Sequence, residues 1–401
     1  MKILVLNAGS SSFKYKLFDL DHDLVMALGL VDKIGEEKAH LIYQTQNKET
    51  YEEEAFFKGH KEALEKIISL LLDKQLGVLK SVSELQGVGH RVVHGGESFK
   101  KPCKVNEEVL KGIENMIPLA PLHNPPNLEG LKVSMSLFPE VPQVAVFDTS
   151  FHQTMPKHAF RYALPEELYE SHGLRRYGFH GTSHHYVAKE ASIYLKIPFE
   201  KLNAITFHLG NGGSMAAIKS GQSIDTSMGM TPLEGLVMGT RSGDIDPAIP
   251  FFLERELKMD LKTIDQLLNK KSGLKGICGK NDIRDISELS KTGDKKAKLA
   301  LEIYCYRIKK YLGAYLTLLP NLDVLIFTAG IGENSPLVRE MILKDLGHLG
   351  IYLDEAKNQN VKRGKIQEIQ VEDKKEKLPK ILVVPTDEEK EIASQTKAIL
   401  N

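Results

Sequence analysis

Two arginines stand among glycines and small polar residues rather than on the face of an amphipathic helix. Arg91 lies in GHRVVHGG and Arg241 lies in MGTRSGDIDP. A guanidinium group is a planar forked donor, which suits a transferring phosphoryl group and also binds a carboxylate with two hydrogen bonds. An isolated arginine more often forms a surface salt bridge, so the local sequence leaves both roles open.

Three small-residue turns could supply donors to phosphate oxygens. LNAGSSSFK offers the hydroxyls of residues 10–12 and the charge of Lys14, HLGNGGS (208–214) has three glycines, and FTAGIGENS (327–335) follows a predicted strand. The sequence lacks G-x-x-x-x-G-K-[ST] and a complete G-x-G-x-x-G, which argues against a Walker loop and a dinucleotide-binding fold. Together the turns predict a phosphate-binding cleft of another kind.

Histidines are dense in RRYGFHGTSHH. His180 and His184 have the spacing of a helical zinc pair, but a glycine intervenes and no H-E-x-x-H follows, so zinc is not predicted. We expect Thr182 or Ser183 to cap the following helix, which leaves His180 on a loop where it can donate to a phosphate. Core and capping roles stay open for His184 and His185.

Two carboxylates stand after apolar runs, Asp148 after VAVF and Glu388 in VVPTDEE. Mg²⁺ needs only one or two carboxylates because it keeps several waters. A lone aspartate in such a place is usually a helix cap, so metal binding and capping both remain open.

The elements that must position these residues alternate between strands and helices, which predicts an α/β protein. The first 20 residues predict two strands joined by a Gly/Ser turn, and VPQVAVFD and DVLIFTAG predict buried strands. Apolar residues at helical spacing predict helices over residues 55–76 and 295–319, the second stopped by Pro320.

Residues 203–218 repeat the design of residues 2–17: an apolar strand, a polar residue, x-Gly, a small-residue turn and a second strand. Asn7-x-Gly9 aligns with His208-x-Gly210. The repeat predicts two related domains that face each other across a cleft, although glycine hairpins are common enough for chance similarity.

Length and composition exclude several classes of protein. A chain of 401 residues predicts two domains, and Lys+Arg and Asp+Glu, both 53, leave no excess charge for nucleic acid or an anionic membrane. Neither a signal peptide nor a membrane-spanning run is predicted, and three scattered cysteines fit a cytoplasmic protein. The charged run at residues 372–377 predicts a solvated face or a surface hairpin.

Taken together, the motifs resemble those of the acetate kinase family. In the family's order they are LNAGSSSFK, GHRVVHGG, APLHNPPN, VFDTSFH, RRYGFHGTSH, HLGNGG, DTSMGMTPLEGLVMGTRSGDIDP, TAGIGENS and PTDEE. The resemblance implies the fold of the actin, Hsp70 and sugar-kinase superfamily, an α/β fold of two duplicated actin-like (ribonuclease H-like) domains with a nucleotide cleft between them. It divides the chain into an N-terminal domain, residues 1–149 plus 389–401, and a C-terminal nucleotide-binding domain, residues 150–388.

The resemblance also implies roles for individual residues. Those around the transferring phosphoryl group are Arg91, Asp148, His180 and Arg241, and those lining an apolar pocket for the acetate methyl group, beside Arg91, are Val93, Leu122, Phe179 and Pro232. His123 would line the same cleft. The residues implied to bind nucleotide are Ser10, Ser12, Lys14, His208, Leu209, Gly210, Asn211, Gly212, Asp282, Ile283, Arg284, Gly330, Ile331, Gly332 and Asn334, and those implied to position Mg²⁺ are Asn7 and Glu388.

The implied reaction is reversible Mg²⁺-dependent transfer of a phosphoryl group from ATP to acetate, giving acetyl phosphate and ADP, in a homodimer. Mn²⁺ could replace Mg²⁺. The alternatives are a propionate or other short-chain acyl kinase, and a nucleotide-gated binding protein of the same superfamily without catalysis. Two departures from the family pattern bear on the site: the loop before Asp282 is one residue shorter than usual, and Asp387 stands where asparagine is usual.

Overall fold

The computed structural model describes residues 1–46, 50–372 and 378–401. The chain divides into two compact units: unit 1 comprises residues 1–151 and 387–401, and unit 2 comprises residues 152–386. Most of the charged run at residues 372–377 lies outside the described residues, so its predicted conformation stays a prediction.

The described strands form two sheets, one in each unit. The strands of unit 1 are β1 (Lys2–Ala8), β2 (Ser12–Asp19), β3 (Leu24–Asp32), β4 (Ala39–Thr45), β5 (Tyr51–Ala55), β6 (Gly87–Val92), β7 (Cys103–Lys104) and β8 (Gln143–Phe147). The strands of unit 2 are β9 (Ala204–Leu209), β10 (Gly213–Lys219), β11 (Gln222–Thr226), β12 (Val324–Thr328), β13 (Gln367–Glu368) and β14 (Lys380–Val383).

Helices connect these strands. In chain order they are α1 (His60–Leu71), α2 (Glu107–Asn115), α3 (Asn124–Leu137), α4 (Lys157–Phe160), α5 (Glu166–His172), α6 (Gly181–Leu195), α7 (Ala248–Leu257), α8 (Leu261–Lys270), α9 (Gly273–Cys278), α10 (Ile283–Lys291), α11 (Lys295–Leu318), α12 (Ala329–Asn334), α13 (Pro336–Leu343), α14 (Glu355–Gln359) and α15 (Glu388–Leu400). Short 3₁₀-helices lie at Val82–Glu84, Ser150–Thr154, Phe199–Lys201 and Gly347–Leu349. None of the described helices is long and apolar enough to cross a membrane.

The sheet of unit 1 has the strand order β5-β4-β3-β2-β1-β6-β8-β7. Neighbours from β1 to β5 are antiparallel, whereas β1, β6 and β8 are parallel. β1 is a continuous apolar run because both of its faces are covered. Leu4 and Leu6 pack into a core with residues of α1, whereas Ile3 and Val5 pack against residues of α15.

The sheet of unit 2 has the strand order β11-β10-β9-β12-β14-β13. All six residues of β9 and all five of β12 are buried, as expected for central strands covered on both faces. The long helix α11 supplies much of the core on one face. Its N-cap Asp294 accepts a hydrogen bond from the Ala297 amide at 2.9 Å, and it ends two residues before Pro320, close to the predicted boundary.

The central part of each sheet has the same plan. A first strand pairs antiparallel with a second, β1 with β2 and β9 with β10, and the second pairs antiparallel with a third, β3 or β11. On its other side the first strand is followed by two parallel strands that come later in the chain: β6 and β8 in unit 1, and β12 and β14 in unit 2. The two hairpins that the internal sequence repeat identified therefore occupy equivalent positions. This topology confirms the predicted α/β fold of two duplicated domains.

The helix predicted over residues 55–76 is shorter than expected. Residues 51–55 form β5, which pairs with β4, and α1 begins after Gly59 and ends at Leu71. The apolar residues of the helix do recur at helical spacing, but pairing with an existing strand holds the preceding residues extended. The spacing of apolar residues along the chain contains no information about that strand pairing.

Helix α15 reaches the sheet of unit 1 because the residues beneath it have no side chain. A Cβ atom on Gly89 would lie 2.4 Å from Thr396 Oγ1 and 2.9 Å from Ile392 Cγ2. Such distances are too short for real contacts, so a larger residue on this strand would displace the helix. The first residue of α15 is Glu388, whose position therefore depends on a glycine far away in the sequence.

We predict that Gly89→Ala lowers the free energy of unfolding by about 1–3 kcal/mol, because the methyl group overpacks the β6–α15 contact. Gly313→Ala is the matched control: Gly313 lies inside α11 with open space around it, so the same change should stabilise the protein by about 0.5–1 kcal/mol through helix propensity. Urea unfolding followed by circular dichroism measures both variants. Equal effects of the two substitutions would contradict this account of the packing.

Candidate functional site

The β1–β2 hairpin of unit 1 places the predicted phosphate-binding turn at the end of the central strand. Asn7 and Lys14 are cross-strand partners, and the Gly9 amide donates to the Ser12 carbonyl oxygen at 2.8 Å, which closes the turn. Ser10 and Lys14 are exposed, whereas Asn7 and Ser12 are half-buried. The turn therefore presents hydroxyl groups together with the positive charge of Lys14. No residue of the turn itself carries a negative charge.

Arg91 and Asp148 stand at the ends of the neighbouring parallel strands β6 and β8. Arg91 Nε lies 3.2 and 3.1 Å from the two carboxylate oxygens of Asp148, and Nη2 donates to Oδ2 at 2.6 Å. The Asp148 side chain is 2% exposed and that of Arg91 is 24% exposed. This forked salt bridge fixes the plane of the guanidinium and leaves part of it accessible to a ligand.

Burial opposes the charge of Arg91, but Asp148 and then Glu388 outweigh it and raise the pKa of the guanidinium above its ordinary value. Burial raises the pKa of Glu388 to about 7, with Asp148 adding to the rise and Arg91 opposing it. Two shielded carboxylates thus lie in mutual electrostatic range, and Asp148 opposes the ionisation of Glu388. A hard cation would relieve this repulsion.

This part of unit 1 fits the magnesium that the resemblance implies. Asn7 and Glu388 carry oxygen atoms that would suit this ion, and Asp148 is close enough to raise the pKa of Glu388. The described residues contain no cluster of three or more His, Cys, Asp or Glu side chains that could hold a metal ion. The donor set is thus that of an ion that keeps most of its waters rather than of an all-protein cage.

Asp387 does not add an uncompensated charge beside Glu388. Its Oδ1 accepts from the Lys390 amide at 2.9 Å as the N-cap of α15, and Lys16 Nζ lies 3.0 and 2.8 Å from its two oxygens. The departure from the usual asparagine is therefore balanced by a lysine of β2. Only the three-dimensional structure brings residues 16 and 387 together.

Two asparagines of APLHNPPN fix the loop after β6, which sequence reasoning did not foresee. Asn127 accepts from the Val93 amide at 3.0 Å and donates to the Ala8 carbonyl at 2.8 Å, which joins the loop after β6 to the last residue of β1. Asn124 accepts from the His94 amide at 3.1 Å and donates back to the His94 carbonyl at 3.0 Å. Both side chains are buried, so their polar groups are costly to leave unpaired.

In unit 2, His180 is the N-cap of α6 and has left-handed backbone angles, with φ of 55° and ψ of 22°. Its ring stacks on that of His208, with centroids 4.2 Å apart and planes inclined by 21°. The prediction that Thr182 or Ser183 caps the helix is wrong. Both lie inside α6, and Ser183 Oγ instead bonds His208 Nδ1 at 2.8 Å.

Arg241 and Gly212 are brought together with His180. A Cβ atom built on Gly212 would lie 3.4 Å from Arg241 Nη1 and 3.8 Å from His180 Nε2. Arg241 Nη1 lies 3.4 Å from the Pro232 carbonyl oxygen, and no carboxylate within the described ranges forms a salt bridge with this arginine. Burial lowers its pKa without removing its charge. Arg241 is thus a cation held by neutral groups, unlike Arg91.

The loop that carries Pro232 and Arg241 is fixed from behind by a second arginine. Arg176 Nη1 lies 2.8, 3.1 and 3.0 Å from the carbonyl oxygens of three consecutive residues, 226–228, and Nη2 donates to Glu234 Oε1 at 2.5 Å. The position of the loop is therefore set by buried polar contacts. Nothing in the local sequence distinguishes this arginine from one that binds a ligand.

A cavity of about 860 Å³ opens in unit 2. Eight of the residues predicted to bind nucleotide line it: Gly210, Asn211, Asp282, Ile283, Arg284, Gly330, Ile331 and Asn334. Four others, namely His208, Leu209, Gly212 and Gly332, do not line it, although each lies within two residues of one that does. The cavity thus unites motifs that are far apart in the chain, from Gly210 to Asn334, and its volume suits a nucleotide-sized ligand.

The walls of the cavity differ in detail from the sequence expectation. The predicted glycine turn at residues 327–335 includes the short helix α12, which begins directly after β12. Asp282 is the N-cap of α10, and Arg284 binds its carboxylate, which lowers the pKa of Asp282 to about 2. Sequence reasoning also missed lining residues on the far side, among them Lys291, Glu340 and Arg363.

The four apolar residues predicted to share one pocket are divided between the units. Val93 and Leu122 belong to unit 1, where Val93 is buried and Leu122 is 61% exposed. Phe179 and Pro232 belong to unit 2, where Phe179 is buried and Pro232 is half-buried. His123, the N-cap of α3, lies in unit 1 next to Leu122 in the chain.

Comparisons with known proteins found similarity over the whole chain. The Acetokinase family matches residues 2–394. An acetate kinase of Halothermothrix orenii is 53% identical over 402 residues, covering 100% of both chains. The crystal structure of Porphyromonas gingivalis acetate kinase has a TM-score of 0.94 at 47% identity and covers 100% of both chains. The structure of a propionate kinase from Francisella tularensis has a TM-score of 0.91 at 42% identity and covers 99% of both chains.

Proposed function

Because this chain belongs to the acetokinase family, we propose that it transfers the terminal phosphoryl group of ATP to the carboxylate of acetate, with acetyl phosphate and ADP as products. It is a kinase whose acceptor is a carboxyl group. The resemblance found in the motifs is confirmed by the family match. Among geometric features, the proposal rests most on Arg241, a cation held by neutral groups beside a glycine-rich turn and in the same unit as a nucleotide-sized cavity.

The acceptor needs no general base. A simple carboxylic acid has a pKa of about 4 to 5, so acetate is already ionised at neutral pH. Asp148 accordingly does not have to remove a proton, and its two hydrogen bonds to Arg91 support a positioning role. Catalysis then consists of bringing two anions together and stabilising the charge of the transferring group.

Three side chains supply that stabilisation in our proposal. Arg91, oriented by Asp148, binds the acetate carboxylate or the transferring group, and Arg241 donates to the transferring phosphoryl oxygens. His180, whose Nε2 faces the Gly212 position, is the third donor. The hydroxyls of the β1–β2 turn and Lys14 act on the more distant phosphate oxygens.

We assign Asn7 and Glu388 as the residues that hold Mg²⁺, or Mn²⁺ in its place, with Asp148 supporting them. When bound, the ion supplies positive charge to phosphate oxygens. The raised pKa of Glu388 is compatible with this assignment because burial, with a smaller contribution from Asp148, opposes its ionisation, and a bound cation would offset both effects. Lys14 and Arg91 already lower that pKa by opposing charge, which is the effect expected of a cation.

We assign the cavity of unit 2 to the nucleotide. Gly210, Asn211 and the residues of α12 form one wall, and the N-terminus of α10 forms another. We also assign nucleotide binding to four residues that lie next to this lining in the chain, namely His208, Leu209, Gly212 and Gly332. Because the loop before Asp282 is one residue shorter than is usual in the family, the preference among purine nucleotides has to be measured.

The size of the acyl group is the finer question about the substrate. One extra methylene changes transition-state binding by only about 1–3 kcal/mol, and a protein named propionate kinase is among the similar structures. We propose that Val93, Leu122, Phe179 and Pro232 contact the methyl group of acetate. Their apolar side chains could contact the methyl group of acetate or the slightly longer chain of propionate equally well.

We also propose that the chain works in the cytoplasm as a homodimer. Its three cysteines, Cys103, Cys278 and Cys305, are free thiols, which fits a reducing compartment. Helix α7 supports self-association because none of its residues is buried within unit 2, and Phe251 and Phe252 are 63% and 51% exposed. Large apolar side chains exposed together mark interaction surfaces, and a second copy of the chain is the occupant we propose.

The overall proposal is tested by trapping acyl phosphate with hydroxylamine. Purified protein with ATP and acetate should give acetyl hydroxamate, less product with propionate than with acetate, and almost none when EDTA removes divalent ions. Greater kcat/KM for propionate would move the assignment to an acyl kinase of that class. Binding of ATP without any acyl phosphate would favour a nucleotide-gated binding protein.

We predict that Arg91→Ala and Arg241→Ala each reduce kcat by about 10³-fold, because each removes a charged donor used in the transition state. Lysine at either position should restore only part of the activity, since a point charge lacks the forked geometry. Lys298→Ala, which removes an exposed cation of α11, is the control and should leave kcat unchanged. Steady-state kinetics with a coupled ADP assay measures all variants, and normal turnover in either arginine variant would refute the assigned roles.

We predict that Phe251→Asp with Phe252→Asp converts the protein to a monomer, because charge on α7 opposes burial of that surface against a second copy. Phe56→Asp, which changes an equally exposed aromatic residue in unit 1, should leave the assembly unchanged. Sedimentation equilibrium at several concentrations measures the mass of each form. A monomeric wild-type protein, or a dimer that survives the double substitution, would contradict this assignment.

A further inference from the structure

A chain of hydrogen-bonded side chains runs from His180 into the interior of unit 2. His180 Nδ1 lies 2.8 Å from Ser214 Oγ, which also lies 2.7 Å from His184 Nε2. His184 Nδ1 in turn lies 2.7 Å from Thr206 Oγ1. Ser214, His184 and Thr206 are completely buried, so each depends on the others for its hydrogen bonds.

The fold holds this chain between a helix and the central strands. His180 and His184 are one turn apart at the start of α6, where the His184 amide donates to the His180 carbonyl at 2.9 Å. Thr206 lies in β9, and Ser214 lies in β10 opposite His208, the residue on which the His180 ring stacks. Ser214 therefore contacts a ring nitrogen of His180, while His208, the cross-strand partner of Ser214, contacts the face of the same ring.

We propose that Ser214 is a positioning residue for phosphoryl transfer, which holds the imidazole of His180 through Nδ1 so that Nε2 is directed towards the transferring group beside Arg241. The inference rests on the role proposed for His180 in the reaction. Ser214 itself does not touch the substrates. The positions of Nε2 and Arg241 Nη1, 3.8 and 3.4 Å from where a Cβ of Gly212 would lie, support the direction of the ring.

The hydroxyl groups also determine which nitrogen of His180 carries the proton. Thr206 has one hydroxyl proton, and His184 Nδ1 at 2.7 Å is a better acceptor than the Ala216 carbonyl at 3.5 Å. His184 Nε2 then donates to Ser214, and Ser214 donates to His180 Nδ1. The neutral His180 ring consequently has its proton on Nε2, where it can donate to a phosphoryl oxygen.

The surroundings keep the interior end of this chain uncharged. Burial, together with His152 and His208, holds the pKa of His184 well below its ordinary value. A neutral His184 accepts a hydrogen bond at one ring nitrogen and donates one from the other, and it adds no positive charge to the core. The backbone of His180 lies in the left-handed region that few non-glycine residues occupy, which is a further sign that its placement is imposed.

A double-mutant cycle tests the inference with the full-length enzyme and its usual substrates. Ser214→Ala should lower kcat about 10- to 100-fold through loss of orientation while the KM for ATP stays within about twofold. In the His180→Ala background the same substitution should change kcat by less than about twofold, because no ring remains to be oriented. Ser214→Thr, which keeps a hydroxyl, should recover most of the activity.

Two further variants guard against an effect on folding. Thr206→Val removes the far hydroxyl without changing the shape of the side chain, and it should lower kcat less than Ser214→Ala does. Ser192→Ala removes a buried hydroxyl of α6 that donates to the Lys189 carbonyl, and it should leave kcat unchanged. Thermal unfolding of each variant identifies those that have lost the native fold.

The outcomes separate this inference from the proposed function. Normal kcat in Ser214→Ala, or an equal loss in the presence and absence of His180, overturns the positioning role even if His180→Ala is impaired. Normal kcat in His180→Ala overturns both the role of His180 and the inference built on it. Absence of acyl phosphate from the wild-type protein overturns the proposed function itself.

Discussion

Transfer of a phosphoryl group to a carboxylate requires two anions to approach each other, and this electrostatic constraint accounts for most of the features described above. Two unit charges 4 Å apart repel by about 1 kcal/mol in water but by about 4 kcal/mol at an effective dielectric constant of 20. Shielding from water therefore has to be accompanied by positive charge. The chain has equal numbers of acidic and basic residues, so that charge must be local rather than general.

The duplicated topology places such charge at the carboxyl ends of central strands in both units. In unit 1 Arg91 lies near the end of β6 and Asp148 directly follows β8, next to the β1–β2 hairpin with its lysine. In unit 2 the equivalent first strand ends at the glycine-rich turn beside His180 and Arg241. The same strand order thus carries different side chains in the two units: an arginine and a lysine beside carboxylates in unit 1, and imidazoles and an arginine in unit 2.

Sequence motifs identified the candidate site residues because their local setting in the sequence is unusual. Arginines among glycines, or hydroxyls in a turn after an apolar strand, are visible in a short window. The ends of α11 were also predictable, since apolar spacing and Pro320 both act locally. For the same reason the two hairpins could be aligned before their positions in the sheets were known.

Supporting contacts could not be predicted because they join residues far apart in the chain. Asn127 joins the end of β1 to the loop after β6, Lys16 balances Asp387, and Ser214 joins two histidines. A buried asparagine or serine has no distinctive neighbours in sequence, and its partner is known only when strands are paired. The helix cap expected at Thr182 or Ser183 failed similarly, since His180 occupies the cap position with a left-handed backbone.

The ways in which the three donors are held explain why they can have different tasks. A carboxylate partner orients Arg91 but also cancels part of its field, which suits a group that must bind an anion without trapping it. Carbonyl and thioether contacts orient Arg241 while leaving its charge intact, which suits the role proposed for it at the transferring group. His180 is held by a neutral hydroxyl and contributes direction with little charge. Stronger orientation of a cation by a carboxylate reduces the field that this cation can exert on a ligand, and Arg91 and Arg241 represent the two opposite solutions to that conflict.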